Sequence, residues 1–157
     1  MVLTIPRERL EARLRELGIG YRFVVVERAR TVDDAARSLG VGRDRIAKTV
    51  IVITDRGPIA LFLRGSHRVD FTALRRILGL GSARMATPEE VEKITGYRVG
   101  GVPPIIEGVE TIVDASLAFD SDEVFCGGGD EYTLLAIKPR ELVERLGLRV
   151  YSFARPS

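Results

Sequence analysis

Lys48 stands in the run Ile46-Ala47-Lys48-Thr49-Val50-Ile51-Val52-Ile53, which is otherwise apolar or β-branched. The run reads as a strand near the centre of a sheet, and alternation puts Lys48 on the face opposite Ala47 and Thr49. A cation flanked by buried positions either reaches the end of its sheet or serves a site. The chain carries 21 Arg and 3 Lys, so a Lys in apolar surroundings stands out. The second notable stretch is Thr95-Gly96-Tyr97-Arg98-Val99-Gly100-Gly101-Val102-Pro103-Pro104. Adjacent glycines leave backbone uncovered, and adjacent prolines stiffen the exit. Amide N–H groups on such a ribbon can hold an anion or a developing oxyanion. The plainer alternative is a structural turn between a helix and a strand.

Other reactive residue types offer less. His67, the only histidine, lies in the polar segment Arg64-Gly65-Ser66-His67-Arg68 without a second His or Cys at metal-binding spacing. Cys126, the only cysteine, precedes Gly127-Gly128-Gly129. It reads as a buried thiol at a strand end, because no base is placed to activate it. The triple glycine is not a phosphate-binding loop, since no Gly-Lys-Ser/Thr follows. Asp114 closes a strand, and it either caps a short helix or faces a site. No Ser-His-Asp set and no carboxylate pair can be assembled.

The elements that must position these residues alternate in type. A helix is expected from Thr4 and Pro6 to Gly18, with Leu10, Leu14 and Leu17 inward. A strand follows at Tyr21–Val26. A second helix starts at Thr31 and stops at Gly40, burying Ala35, Ala36 and Leu39. Thr54-Asp55-Arg56-Gly57 is a hairpin turn with a return strand over Pro58–Leu63. Gly65–Val69 reads as a loop, and Asp70 caps a helix through Leu78. Thr87-Pro88-Glu89-Glu90 starts another helix, running to about Ile94. Thr111–Asp114, Val124–Cys126 and Tyr132–Ile137 read as strands, Gly127–Asp130 as a turn, and Pro139–Leu146 as a last helix. Interspersed elements with a hairpin give a mixed α/β (α+β) class with much antiparallel pairing.

The 157 residues suit one domain over 1–157, large enough for a core of its own. No apolar run is long enough to cross a bilayer, and a single cysteine fits a reducing, cytoplasmic setting. Asn and Gln are absent, which suits a hot habitat, although a GC-rich coding bias also favours Arg. The net charge of +2 does not by itself argue for nucleic acid. Arg64–Arg84 nevertheless holds Arg64, Arg68, Arg75, Arg76 and Arg84 against Asp70 alone. That segment is either a phosphate-facing surface or an ordinary solvated helix face.

The order and spacing of Thr31…Ala35-Ala36…Gly40, Ile46-Ala47-Lys48-Thr49, Thr95-Gly96-Tyr97…Gly100-Gly101-Val102-Pro103-Pro104, Ile112-Val113-Asp114 and Gly127-Gly128-Gly129 resemble the YbaK/prolyl-tRNA-synthetase-associated editing-domain family. The resemblance covers nearly the whole chain. It implies a mostly antiparallel sheet or barrel surrounded by helices. It also implies hydrolysis of mischarged aminoacyl-tRNA, commonly Cys- or Ala-tRNA(Pro), with no cofactor or metal. Its partners would be the tRNA acceptor end and, in some settings, a synthetase. By position, Lys48 resembles the family's essential lysine, and Gly100 and Pro104 match its Gly-x-x-x-Pro loop. Lys48, Gly100 and Gly101 would form the catalytic set. Thr31, Thr49, Thr95, Gly96, Pro104, Asp114 and Gly128 would bind substrate. Pro103 departs from the pattern, because it stands where the family often has a Ser or Thr hydroxyl. A non-catalytic module that binds aminoacyl-tRNA or a synthetase is the first alternative, and a small-molecule sensor the second.

Overall fold

The computed structural model describes residues 7–157; the expected helix start at Thr4 and Pro6 lies outside them. Helix α1 (Arg7–Glu16) buries Leu10 and Leu14. Gly18, at φ 67°, turns the chain toward strand β1 (Tyr21–Val25). In helix α2 (Val32–Leu39) the Thr31 hydroxyl accepts the Asp34 N–H, and Gly40 ends the helix in the left-handed region. A 3₁₀ turn, Arg43–Arg45, leads into the hairpin of β2 (Ala47–Thr54) and β3 (Gly57–Arg64).

The hairpin register runs from Ala47 opposite Arg64 to Thr54 opposite Gly57. Counting back from the two-residue turn, Thr54, Val52, Val50 and Lys48 point their backbone groups at β3, while Ile53, Ile51 and Thr49 point theirs away. Two details agree with this phase. Pro58, which has no N–H, faces Ile53, and the Ile51 carbonyl accepts from Ala86 on the outer side.

Next come β4 (His67–Val69), α3 (Phe71–Leu78), β5 (Ala83–Met85) and α4 (Pro88–Thr95). The Asp70 and Thr87 caps form as the sequence implies, and Glu90 reaches back to the Thr87 N–H to complete a capping box. The second half holds β6 (Thr111–Asp114), α5 (Ala115–Ala118), β7 (Val124–Asp130), β8 (Thr133–Ile137), α6 (Pro139–Leu146), β9 (Val150–Tyr151) and β10 (Ala154–Pro156). The mixed α/β class holds, with three sheets among the described residues. They are β1-β8-β7, β10-β4 and a five-stranded sheet ordered β5-β2-β3-β6-β9. The last carries parallel pairs, β3–β6 and β6–β9, beside the antiparallel hairpin.

Several local expectations give way. His67–Val69 is a strand, because it pairs with Ala154–Pro156 from the far end of the chain. Gly127–Asp130 is not a turn. Strand β7 runs through the glycines, with an irregularity in pairing between Gly127 and Asp130, and the chain reverses at Glu131-Tyr132. Strands β5, β9 and β10 are short, and too few residues each carry a pattern to mark them.

The five-stranded sheet is covered on both faces. Phe62 and Val113 point toward α1, α5, α6 and the β1-β8-β7 sheet, while Leu61, Leu63 and Ile112 pack with Leu74 and Phe153. The buried Asp114 carboxylate holds the second arrangement closed. One oxygen accepts the N–H groups of Phe153 and Ala154 at 3.0 and 2.9 Å; the other accepts the Ser116 N–H at 3.1 Å and the Ser116 hydroxyl. The Asp114→Ala variant is therefore expected to lose about 3 kcal/mol of stability, read as a lower urea midpoint, because buried donors lose a charged acceptor.

Candidate active site

The cavity that unites distant parts of the chain has a volume of about 230 Å³. Its lining brings together the stretch Ala47–Val50 of β2 and Val99, Gly100 and Val102 of the glycine–proline ribbon. Val32 and Ala35 of α2, Phe125, Cys126 and Leu134 complete a mainly apolar lining. It forms here because β5 pairs only with Val52–Thr54. Beyond Ile51, whose carbonyl accepts from Ala86, β2 has an open edge, and the next bridge is at Ile46–Phe125, just before the strand.

Lys48 is half-buried in this wall. Its Nζ lies 3.4 Å from the Gly65 carbonyl, and no carboxylate pairs with it among the described residues. Desolvation, and then the nearby Arg43 cation, lower its pKa from the ordinary lysine value. Arg43 itself pairs with Asp33 at 3.0 Å. A partly desolvated ammonium without a counter-ion favours an incoming anion, carbonyl oxygen or phosphate.

The ribbon that shares this cavity with Lys48 is less bare than its composition suggests. Gly101, Val102, Pro103 and Pro104 are buried. The Gly101 N–H donates to the Arg98 carbonyl at 2.9 Å, so this amide is already engaged. The Gly101 carbonyl accepts from Gly129 at 2.9 Å. A Cβ on Gly101 would stand 2.8 Å from the Asp130 nitrogen, and one on Gly127 would overlap the Val102 carbonyl. The glycines thus allow backbone to lie against backbone. Gly100, at φ 94°, passes close to the Arg30 backbone, and its N–H has no acceptor among the described residues. Of the two ribbon glycines, Gly100 is the one with an amide free to meet a ligand.

Four of the sequence-nominated residues meet in the cavity wall: Thr31, Lys48, Thr49 and Gly100. The others do not line it. Thr95 is buried and bonds the carbonyls of Val91 and Tyr97, closing α4, and Gly96 is the left-handed cap of that helix. Pro104 accepts the Thr111 hydroxyl at 2.8 Å. Asp114 is consumed by the C-terminal segment, and Gly128 is pressed against the Thr133 carbonyl of β8. Gly127 lines the cavity in place of Gly128. Sequence reading also passed over Arg30, Val32 and Phe125; nothing in their types distinguishes them from core or surface.

Cys126 belongs to the wall but not to the chemistry. Its thiol donates to the Leu135 carbonyl at 3.4 Å, and burial pushes its pKa far up. His67 lies outside the cavity. Its Nδ1 is 3.4 Å from the Ser116 hydroxyl, which itself donates to Asp114. The order is therefore Asp–Ser–His, in which the histidine cannot take the serine proton as a triad requires. The basic segment divides: Arg64 braces Asp120 and the Asp44 and Ser116 carbonyls, Arg84 pairs with Glu90, and Arg68, Arg75 and Arg76 stay exposed.

A larger hollow of about 700 Å³ adjoins the cavity and shares Arg30 and Val99 with it. Arg7, Arg98, Tyr132 and the acidic Glu92, Asp130 and Glu131 also line it. Val99 and Tyr132 are 52% and 50% exposed, a notable apolar area beside the cavity mouth.

The cavity is small and mainly apolar, and its lining includes an ammonium without a counter-ion and the Gly100 N–H without an acceptor. Residues 26–144 match the model of the aminoacyl-tRNA editing domain, and the chain belongs to that family. It is similar to proline–tRNA ligase of Nitratidesulfovibrio vulgaris strain DP4, 35% identical over 95 residues, which are 59% of this chain and 17% of the ligase. Proline–tRNA ligase of Caldicellulosiruptor bescii is 31% identical over 61% of this chain and 17% of the ligase. The chain thus spans less than a fifth of the ligases it matches. Two solved structures share its fold over nearly their whole length. A hypothetical protein is 34% identical with a TM-score of 0.87, covering 94% of this chain and 99% of the other. A candidate trans-editing enzyme for prolyl tRNA synthetase is 29% identical with a TM-score of 0.82, covering 95% and 96%. Among the described residues no helix is long and apolar enough to cross a membrane.

The Gly127→Ala variant is expected to lose about 1–3 kcal/mol of stability through overpacking. Thermal melting measures that loss, and amide exchange at Gly100–Val102 should rise as the ribbon is pushed from β7.

Proposed function

We propose that this domain hydrolyses the aminoacyl ester of a mischarged tRNA. The observation that carries the reading is the Lys48 ammonium, half-buried without a counter-ion, in a cavity wall that also holds the free Gly100 N–H. A volume of about 230 Å³ is below the usual range for drug-sized ligands and suits one small acyl group. The apolar lining favours a small side chain, in keeping with Cys or Ala on tRNA(Pro). The adjoining hollow then takes the terminal nucleotides, with Tyr132 as a stacking surface and Arg7 and Arg98 near the phosphates.

The reaction asks for little acid–base power, because an aminoacyl ester is already activated. Water attacks the carbonyl carbon, and negative charge develops on the carbonyl oxygen. Gly100 N–H and the Lys48 ammonium are the groups available to stabilise that charge. The tetrahedral centre then collapses, the bond to the ribose oxygen breaks, and that oxygen recovers a proton as the free amino acid leaves. Holding the ester against the ribbon supplies the remainder of the advantage over solution.

Pro103 favours a second reading, a module that binds aminoacyl-tRNA without cleaving it, since it removes a hydroxyl from the ribbon. A panel of misacylated tRNAs assayed for loss of the ester separates the two: the deacylase releases amino acid, whereas the binder only shifts tRNA in a gel. The Lys48→Ala variant should keep its melting temperature and lose about 10²–10³-fold in kcat/KM, the scale of one lost oxyanion donor. Hydrolysis at the wild-type rate in that variant removes the reading. The Tyr132→Ala variant should raise KM with kcat nearly kept, measured on the same tRNA. Because its pKa is lowered, Lys48 loses its proton before an exposed lysine would. The rate, divided by that of uncatalysed hydrolysis, should therefore fall on the alkaline side below pH ~10.4, the ordinary lysine value.

A further inference from the structure

Thr49 is an anomaly in the cavity wall. Among the described residues its Oγ1 is the one buried side-chain polar atom without a hydrogen-bond partner. Folded proteins rarely leave such a group unpaired, so an orphan hydroxyl beside a cavity points to a ligand that completes it. Thr49 also sits where β2 outruns β5, and the hairpin phase turns its own N–H and carbonyl toward that open edge. The other hydroxyl in the wall, on Thr31, already accepts from Asp34.

The substrate's needs can be set against these groups. The ester carbonyl needs donors, and Lys48 and the Gly100 N–H are donors. The α-ammonium needs acceptors and is repelled by Lys48. No Asp or Glu lines the cavity, so only neutral oxygens can receive it. Alternation along β2 puts the Thr49 side chain on the strand face opposite Lys48.

We infer that Thr49 receives the α-ammonium of the acyl group, its hydroxyl and strand-edge carbonyl acting as acceptors. The inference rests on the deacylase reading and adds a specificity to it: the site selects esters with a free α-amine over desamino acyl groups. The hydroxyl is turned in from the cavity surface. A rotation about χ1 to another staggered rotamer would bring it to the cavity without moving the strand. A site built to hydrogen-bond a substrate group discriminates strongly against the analogue lacking it, whereas a purely apolar pocket does not.

The test compares alanyl and propionyl esters of the same tRNA minihelix, each rate divided by its uncatalysed hydrolysis. In the wild type, kcat/KM for alanyl should exceed that for propionyl by about tenfold or more. In Thr49→Val, which is nearly isosteric and keeps the strand-edge carbonyl, the ratio should fall severalfold; in Thr49→Ser it should persist. The melting temperature of Thr49→Val should be no lower than that of the wild type, since the change removes an unpaired hydroxyl. An alanyl-to-propionyl ratio in Thr49→Val equal to the wild-type ratio overturns the inference while leaving the deacylase reading intact. If the wild type cleaves no ester, the deacylase reading fails, and binding of 3′-alanylamido- and 3′-propionylamido-adenosine by calorimetry then decides this contact. Equal affinities overturn it; tighter alanyl binding that Thr49→Val weakens supports it.

Discussion

The close approach of two backbones, Gly100–Val102 against Gly127–Asp130, sets the shape of everything around it. A single carbonyl–amide bond, Gly101 to Gly129, ties the two stretches together. There is no room for a Cβ on Gly101 or Gly127 at that separation. The approach has two consequences. It fixes one wall of the cavity at a distance from β2 that admits a small group, and it brings Gly100 under the backbone of Arg30 with its N–H still free. Any side chain on Gly101 or Gly127 would force the ribbon and β7 apart.

The β2 part of the lining owes its character to a mismatch in strand length. Strand β2 is eight residues long, and β5 is three. The unpaired remainder of β2 carries Lys48 on one face and Thr49 on the other, so one short edge offers both a cation and an unpaired hydroxyl. Many of the arginines find partners: Arg22 with Glu123, Arg84 with Glu90, Arg149 with Glu110, Arg45 and Arg64 with Asp120. Against this paired surface Lys48 stands out as the cation left without a carboxylate in a partly dry setting. Its lowered pKa has the same origin.

The helices were legible because their ends are written in local chemistry. Thr31, Asp70 and Thr87 each cap through their own side chains, and Gly40, Gly79, Gly96 and Gly147 each close a helix in the left-handed region. The hairpin was legible for the same reason, its two strands being adjacent and rich in β-branched residues. Strands β4, β9 and β10 were not, because their partners lie far away in sequence and each is three residues or fewer. Asp114 illustrates the limit well: its motif position suggested substrate, whereas its four donors come from Ser116, Phe153 and Ala154, and only a folded C-terminus brings the last two near.

The sequence by itself determined the class of fold, the family, and two of the stretches that line the candidate cavity, because each of these rests on local patterns of residue type. The tertiary structure alone decided which residues of those stretches face one another. It engaged the Gly101 amide and left that of Gly100 free, withdrew Thr95, Gly96, Pro104, Asp114 and Gly128 into structural roles, and set Lys48 and Thr49 in one wall. The physical reason is that a free donor, an unpaired hydroxyl or an unmatched charge is a property of what surrounds a residue, and those surroundings come from remote parts of the chain.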